Sequence, residues 1–303
     1  MLMNGIKFDT MESFETVVKE GLEERIPGAK KISFQSVIKN NDRRLRGCVI
    51  ERPDSNMSPT VYIDDMYQDI QDGRVGVDEV IDRIAKAFSS QSEVSSFDVH
   101  SFIDWERAKG KIVMRLISRE RNKELLQDVP STEVAGMDDL AIVFTFLLEV
   151  GDEGQGSIMI KNAHMKEWGV EIEDLQSVAE QNAPRLLPAM VQPMEYILGA
   201  VGIDSPNVGI GMTVITNSSK TYGAAAILYK GLLKDLAKRM NTEELILIPS
   251  SVHEMLAISG SNTHIDDVNE MIREVNDSQV APGDQLGDHA YRYTVATDSI
   301  SMQ

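Results

Sequence analysis

Between Leu140 and Val150 the chain is almost unbroken in its apolarity, and Val, Ile and Phe supply much of it. A run rich in β-branched and aromatic residues predicts a strand at the centre of a sheet, buried on both faces. The run falls well short of the ~18 apolar residues that a membrane-spanning helix needs. Three glycines between Gly151 and Gly156 predict a hairpin turn, with a partner strand over Ser157–Ile160. A sheet buried in this way needs a large core around it. The 303 residues, 42% of them hydrophobic and 26% charged, are enough to build one.

Elsewhere helical and extended patterns alternate irregularly. Phe14, Val17, Val18, Leu22 and Ile26 fall at helical spacing over 11–26, and Pro27-Gly28 stops that helix. Ile32, Phe34 and Ile38 alternate, Asn40-Asn41-Asp42 turns the chain, and Leu45 to Ile50 return as a hairpin. Breakers fill Pro53–Pro59. Helices are predicted over 64–71, 77–89 and 265–275, and a strand over 111–118. Trp168, Ile172, Leu175, Val178, Ala179 and Asn182 are read as one face of a single helix. Leu228, Leu232, Leu236 and Met240, at four-residue steps, predict a long helix over 224–240. Leu245–Ile248 reads as a strand ending at Pro249. The pattern argues for an α+β fold with mixed or antiparallel sheets flanked by helices, in two packed subdomains. The expected division is an N-terminal unit over 1–130, a C-terminal unit over 131–293, and a polar, fraying tail over 294–303.

Charge narrows the partners. With 30 basic and 48 acidic residues the formal net charge is −18. No basic half offers itself to a phosphate backbone, so direct nucleic-acid binding is not expected. Arg43, Arg44 and Arg46 are read as a solvated hairpin loop. An acidic surface can also mimic nucleic acid, which requires carboxylates in rows along one face. The single cysteine, Cys48, excludes an intramolecular disulfide framework and a multi-cysteine zinc site. The first residues carry no apolar signal core, and a cytoplasmic location is expected.

A set of ordered motifs spans nearly the whole chain. They include Pro59-Thr-Val-Tyr62-Ile-Asp, Asn122-Lys-Glu-Leu-Leu-Gln-Asp-Val-Pro130, Asn162-Ala-His164 with Trp168, and Asn182-Ala-Pro-Arg-Leu-Leu-Pro188. Gly223-Ala-Ala-Ala-Ile-Leu-Tyr229, Ile248-Pro-Ser-Ser-Val-His-Glu254 and Glu274-Val-Asn276 complete the set. Together they resemble a family of bacterial proteins catalogued as domain of unknown function 5688, from gut anaerobes and their mobile elements. The resemblance implies a cytoplasmic α+β protein and supplies no catalytic residues.

Candidate chemistry centres on Ser250, Ser251, His253 and Glu254. Serine, histidine and glutamate can supply nucleophile, base and orienting carboxylate. The glycines of a hydrolase elbow are missing. The bland reading is a helix start, with Ser251 and Glu254 at capping-box spacing. Asn217-Ser218-Ser219-Lys220 is a second candidate, because backbone amides and Lys220 at a helix start suit a carboxylate or phosphate. Asn182, an amide on an apolar helical face, either ties its helix to the Pro184 loop or lines a pocket. His253-Glu254 lacks the second histidine of a zinc helix, since position 257 is alanine, and no metal or cofactor is expected. Gly209-Ile-Gly211 and Gly151–Gly156 give no phosphate-binding fingerprint. Met190, Met194, Met255 and Met271 read as core filler or an adaptable surface. With no recognisable catalytic apparatus, the leading expectation is an interaction module whose partner is another protein, with a link to mobile elements. The alternatives are a hydrolase or small-ligand enzyme using Ser251, His253 and Glu254, and an acidic nucleic-acid mimic.

Overall fold

The computed structural model describes residues 7–53, 58, 60–90, 98–148, 156–200, 211–261 and 263–302. The glycine turn before Gly156, the Gly209-Ile210 pair and most of the Pro53–Pro59 stretch therefore lie outside the described residues. The chain divides into two compact units, one of Met1–Lys39 with Arg43–Val99, the other of Asn40–Asp42 with His100–Gln303.

In the first unit, α1 (Met11–Arg25) starts at a reciprocal cap. The Thr10 hydroxyl accepts the Ser13 N–H at 3.2 Å, and the Ser13 hydroxyl accepts the Thr10 N–H at 3.4 Å. Its buried Phe14, Val18 and Leu22 share a core with Ile32, Cys48, Ile50 and Ile63. That core is covered by an antiparallel sheet of β1 (Lys31–Ile38), β2 (Arg44–Glu51) and β3 (Thr60–Tyr62), and by α2 (Asp64–Gln71) and α3 (Val77–Ser90). Arg44 and Arg46 stand in β2 rather than in a loop, and Arg46 pairs with Glu15 through two hydrogen bonds, one of them 2.9 Å. Burial pushes the Cys48 thiol up to about 12, which keeps it protonated and unreactive.

The second unit begins with α4 (His100–Ile103) and α5 (Trp105–Ala108). A four-stranded antiparallel sheet follows, in which β6 (Leu140–Leu147) pairs with β4 (Ile112–Ser118), β5 (Ser131–Glu133) and β7 (Ser157–Met159). Every residue of β6 is buried, as its composition predicts. Because β4 and β6 form one ladder, a division at 130/131 would cut through a sheet; the contacts divide the chain at Val99/His100 instead.

Next come α6 (Asn162–Trp168) and α7 (Ile172–Leu186), two helices where one was expected, so Trp168 does not share a helix with Asn182. Trp168 packs against Phe102 and donates its indole N–H to the Phe102 carbonyl at 2.9 Å. Pro184 lies inside α7, and Asn182 reaches away from it. The Asn182 amide donates to the carbonyls of Lys109 (2.7 Å) and Ile112 (3.0 Å), tying α7 to the start of β4.

A six-stranded antiparallel sheet has the order β13-β12-β10-β11-β9-β8, where β8 is Ala189–Pro193, β9 Thr213–Asn217, β10 Glu244–Ser251, β11 Glu254–Ser259, β12 Tyr291–Thr294 and β13 Ser299–Met302. Helices α8 (Met194–Ala200), α9 (Leu232–Arg239) and α10 (Ile265–Ser278) connect these strands. The expected tail is a paired strand, with Ile300 opposite Tyr293. The long helix expected over 224–240 is two pieces, a 3-10 segment at Gly223–Leu228 and α9. Gly231 separates them at φ +79°, a conformation that disfavours any residue with a Cβ. One core joins the two sheets, drawing on Ile112, Phe144, Ile215, Leu245 and Tyr291. The Tyr291 hydroxyl donates to Asp139 Oδ2 at 2.8 Å, while Asp139 Oδ1 is buried without a partner among the described residues. Burial raises the Asp139 carboxyl above its ordinary value.

Candidate functional site

Sequence alone places His253 in a helix start; the structure places it in a β-hairpin. Residues 252–253 form the two-residue turn between β10 and β11, Ser251 pairs with Glu254, and Ser250 falls at a register shift. The Ser251–Glu254 spacing that mimics a capping box therefore has another origin. The Ser251 hydroxyl accepts the His253 N–H at 3.1 Å, and Ser250 donates to Glu254 Oε1 at 3.2 Å. Pro249 fits in β10 because the β12 ladder ends at Leu247, so no β12 partner meets its missing N–H.

Both imidazole nitrogens of His253 face groups other than the serines. Nδ1 accepts the Tyr222 N–H at 3.1 Å, which puts the ring proton on Nε2, and Nε2 faces Asp284 Oδ1 at 3.4 Å. Neither Ser250 nor Ser251 is hydrogen-bonded to the imidazole, so the geometry assembles no serine–histidine relay. Instead, His253 anchors the loop that follows β9.

In that loop the amides are already taken up. Ser219 N–H donates to Asn217 Oδ1 (3.0 Å), Lys220 N–H to the Asn217 carbonyl (3.0 Å) and Thr221 N–H to the Ser219 hydroxyl (3.3 Å). The backbone cradle expected around an exposed Lys220 is thus closed. Lys220 and Tyr222 both take left-handed backbone angles, φ +54° and +51°. For a residue with a side chain this costs on the order of 1–2 kcal/mol, so surrounding contacts must hold it. Gly223 lets the segments meet: a Cβ there would lie 2.6 Å from both the Asn217 nitrogen and the His253 carbonyl oxygen.

The Tyr222 ring carries Arg115, whose guanidinium lies 3.6 Å from the ring centroid. Arg115 belongs to β4, opposite Val143, and so projects from the same sheet face as Val113, Thr145, Leu147 and Ser157. Its Nη2 donates to the Ser157 hydroxyl at 2.5 Å. Among the described residues no carboxylate forms an ion pair with it, and burial lowers its pKa to about 10, leaving it charged at neutral pH. A half-buried cation gains from a negative charge beside it, and none of the described residues supplies one. Beside it is a recess of about 160 Å³, lined by Val113, Met114, Arg115, Leu147, Ser157, Leu187, Ser219, Thr221 and Tyr222. The Thr145 hydroxyl, on the same sheet face, is buried without a hydrogen-bond partner among the described residues.

Of the residues singled out from sequence, His253 stands behind this recess through Tyr222, and Lys220 is next to two of its lining residues. Ser250, Ser251, Glu254 and Asn182 do not line it. Arg115 was missed, although its signal was visible: one charge inside Ile112-Val-Met-Arg-Leu-Ile-Ser118. A larger cavity, about 390 Å³, lies between Gly136, Gly231 and Ile300. Its cations Lys230 and Lys234 are exposed, and its Tyr293 hydroxyl already bonds Asp298 at 2.6 Å. Among the described residues no group of three or more His, Cys, Asp or Glu is arranged to hold a metal, and no helix is long and apolar enough to cross a membrane.

The sequence matches DUF5688, described as a family of unknown function, across residues 11–295, and the chain belongs to that family. No curated protein and no solved structure matches it.

Proposed function

We propose that this member of the family binds a small anionic ligand in the recess beside Arg115. One observation carries the reading: a half-buried guanidinium stacked on Tyr222 lines a cavity, with no carboxylate paired to it among the described residues. A planar, fork-shaped cation suits carboxylate and phosphate oxygens, and stacking on Tyr222 fixes its plane. The surrounding loop is held by His253 and Gly223, so the site is organised before a ligand arrives.

Thermal unfolding of the purified protein in a panel of anions tests this. A ligand present at 100 times its Kd stabilises the fold by about 2.7 kcal/mol. The wild type is expected to gain stability with at least one anion, and Arg115→Gln to lose that gain. No gain with any anion, or a gain unchanged in the variant, would overturn the proposal.

The expectation of a protein-interaction module has narrower support. Met271 and Val275, one helical turn apart on α10, are exposed among acidic neighbours. Two side chains fall short of the patch sizes that mark docking surfaces.

A further inference from the structure

Resting on the anion-binding reading above, we infer that the ligand of the Arg115 recess is a monocarboxylate with a short apolar tail. Charge, lining and size each point this way. Arg115 is the only cation among the described lining residues, so one negative charge is neutralised there and a second would remain unpaired beside apolar walls. This favours a carboxylate over a phosphate dianion or a dicarboxylate. The walls are divided in kind. The Ser157 hydroxyl accepts from the guanidinium and keeps its own proton to donate, the hydroxyls of Ser219 and Thr221 are already committed within their loop, and Val113, Leu147 and Leu187 offer only hydrocarbon side chains. A carboxylate can accept both from the guanidinium fork and from a hydroxyl, while its tail takes the apolar side.

Volume sets the length. A dry apolar cavity of about 150 Å³ accommodates benzene, and this recess measures about 160 Å³. A nucleotide or other drug-sized ligand needs roughly 300 Å³ or more. The ligand is therefore a short or branched acyl chain, or a single ring, ending in one carboxylate.

Isothermal titration with acetate, butyrate, isovalerate, benzoate, succinate and inorganic phosphate tests the inference. Affinity is expected to rise about fourfold for each methylene added, the equivalent of ~0.8 kcal/mol, until the recess is full. Isovalerate or benzoate should bind at least tenfold more tightly than acetate, succinate or phosphate. Arg115→Lys, which keeps the charge and loses the fork, should weaken the tailed ligands, as should Ser157→Ala, a milder change at a half-buried position. Circular dichroism of both variants establishes that they fold. If phosphate or succinate binds most tightly and the binding still depends on Arg115, the monocarboxylate assignment is overturned and the anion site stands. If none of the six binds, both fail.

Discussion

Tyr222 and His253 hold one another in place: the Tyr222 N–H donates to His253 Nδ1 at 3.1 Å, and their ring centroids are 5.4 Å apart. The bond fixes a residue at φ +51°, and that residue's ring supports Arg115. His253 thus influences the recess without lining it.

His253→Ala removes the acceptor of a partly buried N–H and loosens the strained loop. The expected loss is about 1–2 kcal/mol in urea unfolding, accompanied by weaker binding of any ligand that depends on Arg115. A change within ~0.5 kcal/mol, as for an ordinary surface substitution, would show that the Tyr222–His253 bond does not hold the loop.

Asp139 gives a pH prediction. Burial raises its carboxyl, against smaller lowering effects of Tyr291 and His289, and Glu120 raises it further. A carboxyl raised on folding contributes stability that is complete below the unfolded-state value. That contribution is lost as pH rises through the folded-state value. Asp139→Asn keeps an acceptor for Tyr291 and removes the charge. The variant should match the wild type near pH 3 and exceed it at pH 7, by no more than about 1 kcal/mol once solvent screening is allowed for. Thermal unfolding at the two pH values checks this; a variant less stable at pH 7 than at pH 3, relative to wild type, would refute it.

Periodicity made much of the fold legible. Helices α1, α3 and α10 and strands β4 and β6 follow from patterns that local geometry imposes on burial. Where two structures satisfy one pattern, sequence chose wrongly. The leucines at 228, 232 and 236 repeat at helical spacing, yet the left-handed Gly231 interrupts the helix between the first and the second of them. Ser251 and Glu254 stand three apart in a capping box and also face each other across a two-residue turn. The site was harder still. Tyr222 and His253 are brought together by the pairing of β9 with β11. Arg115 reaches Tyr222 from β4, in the other sheet of the unit. Neither relationship leaves a short motif.

Arg115, which pairs with no carboxylate among the described residues, belongs to a chain of net charge −18, and this has a kinetic consequence. An approaching carboxylate meets a repulsive far field and is attracted only at close range, so electrostatic steering works against encounter. Salt shortens the reach of that field from about 30 Å at 0.01 M to about 8 Å at 0.15 M. Association measured by stopped flow should therefore quicken as salt is added over this range, the opposite of what a basic binding face would give. Slowing would show that the cation governs the field well beyond its own recess.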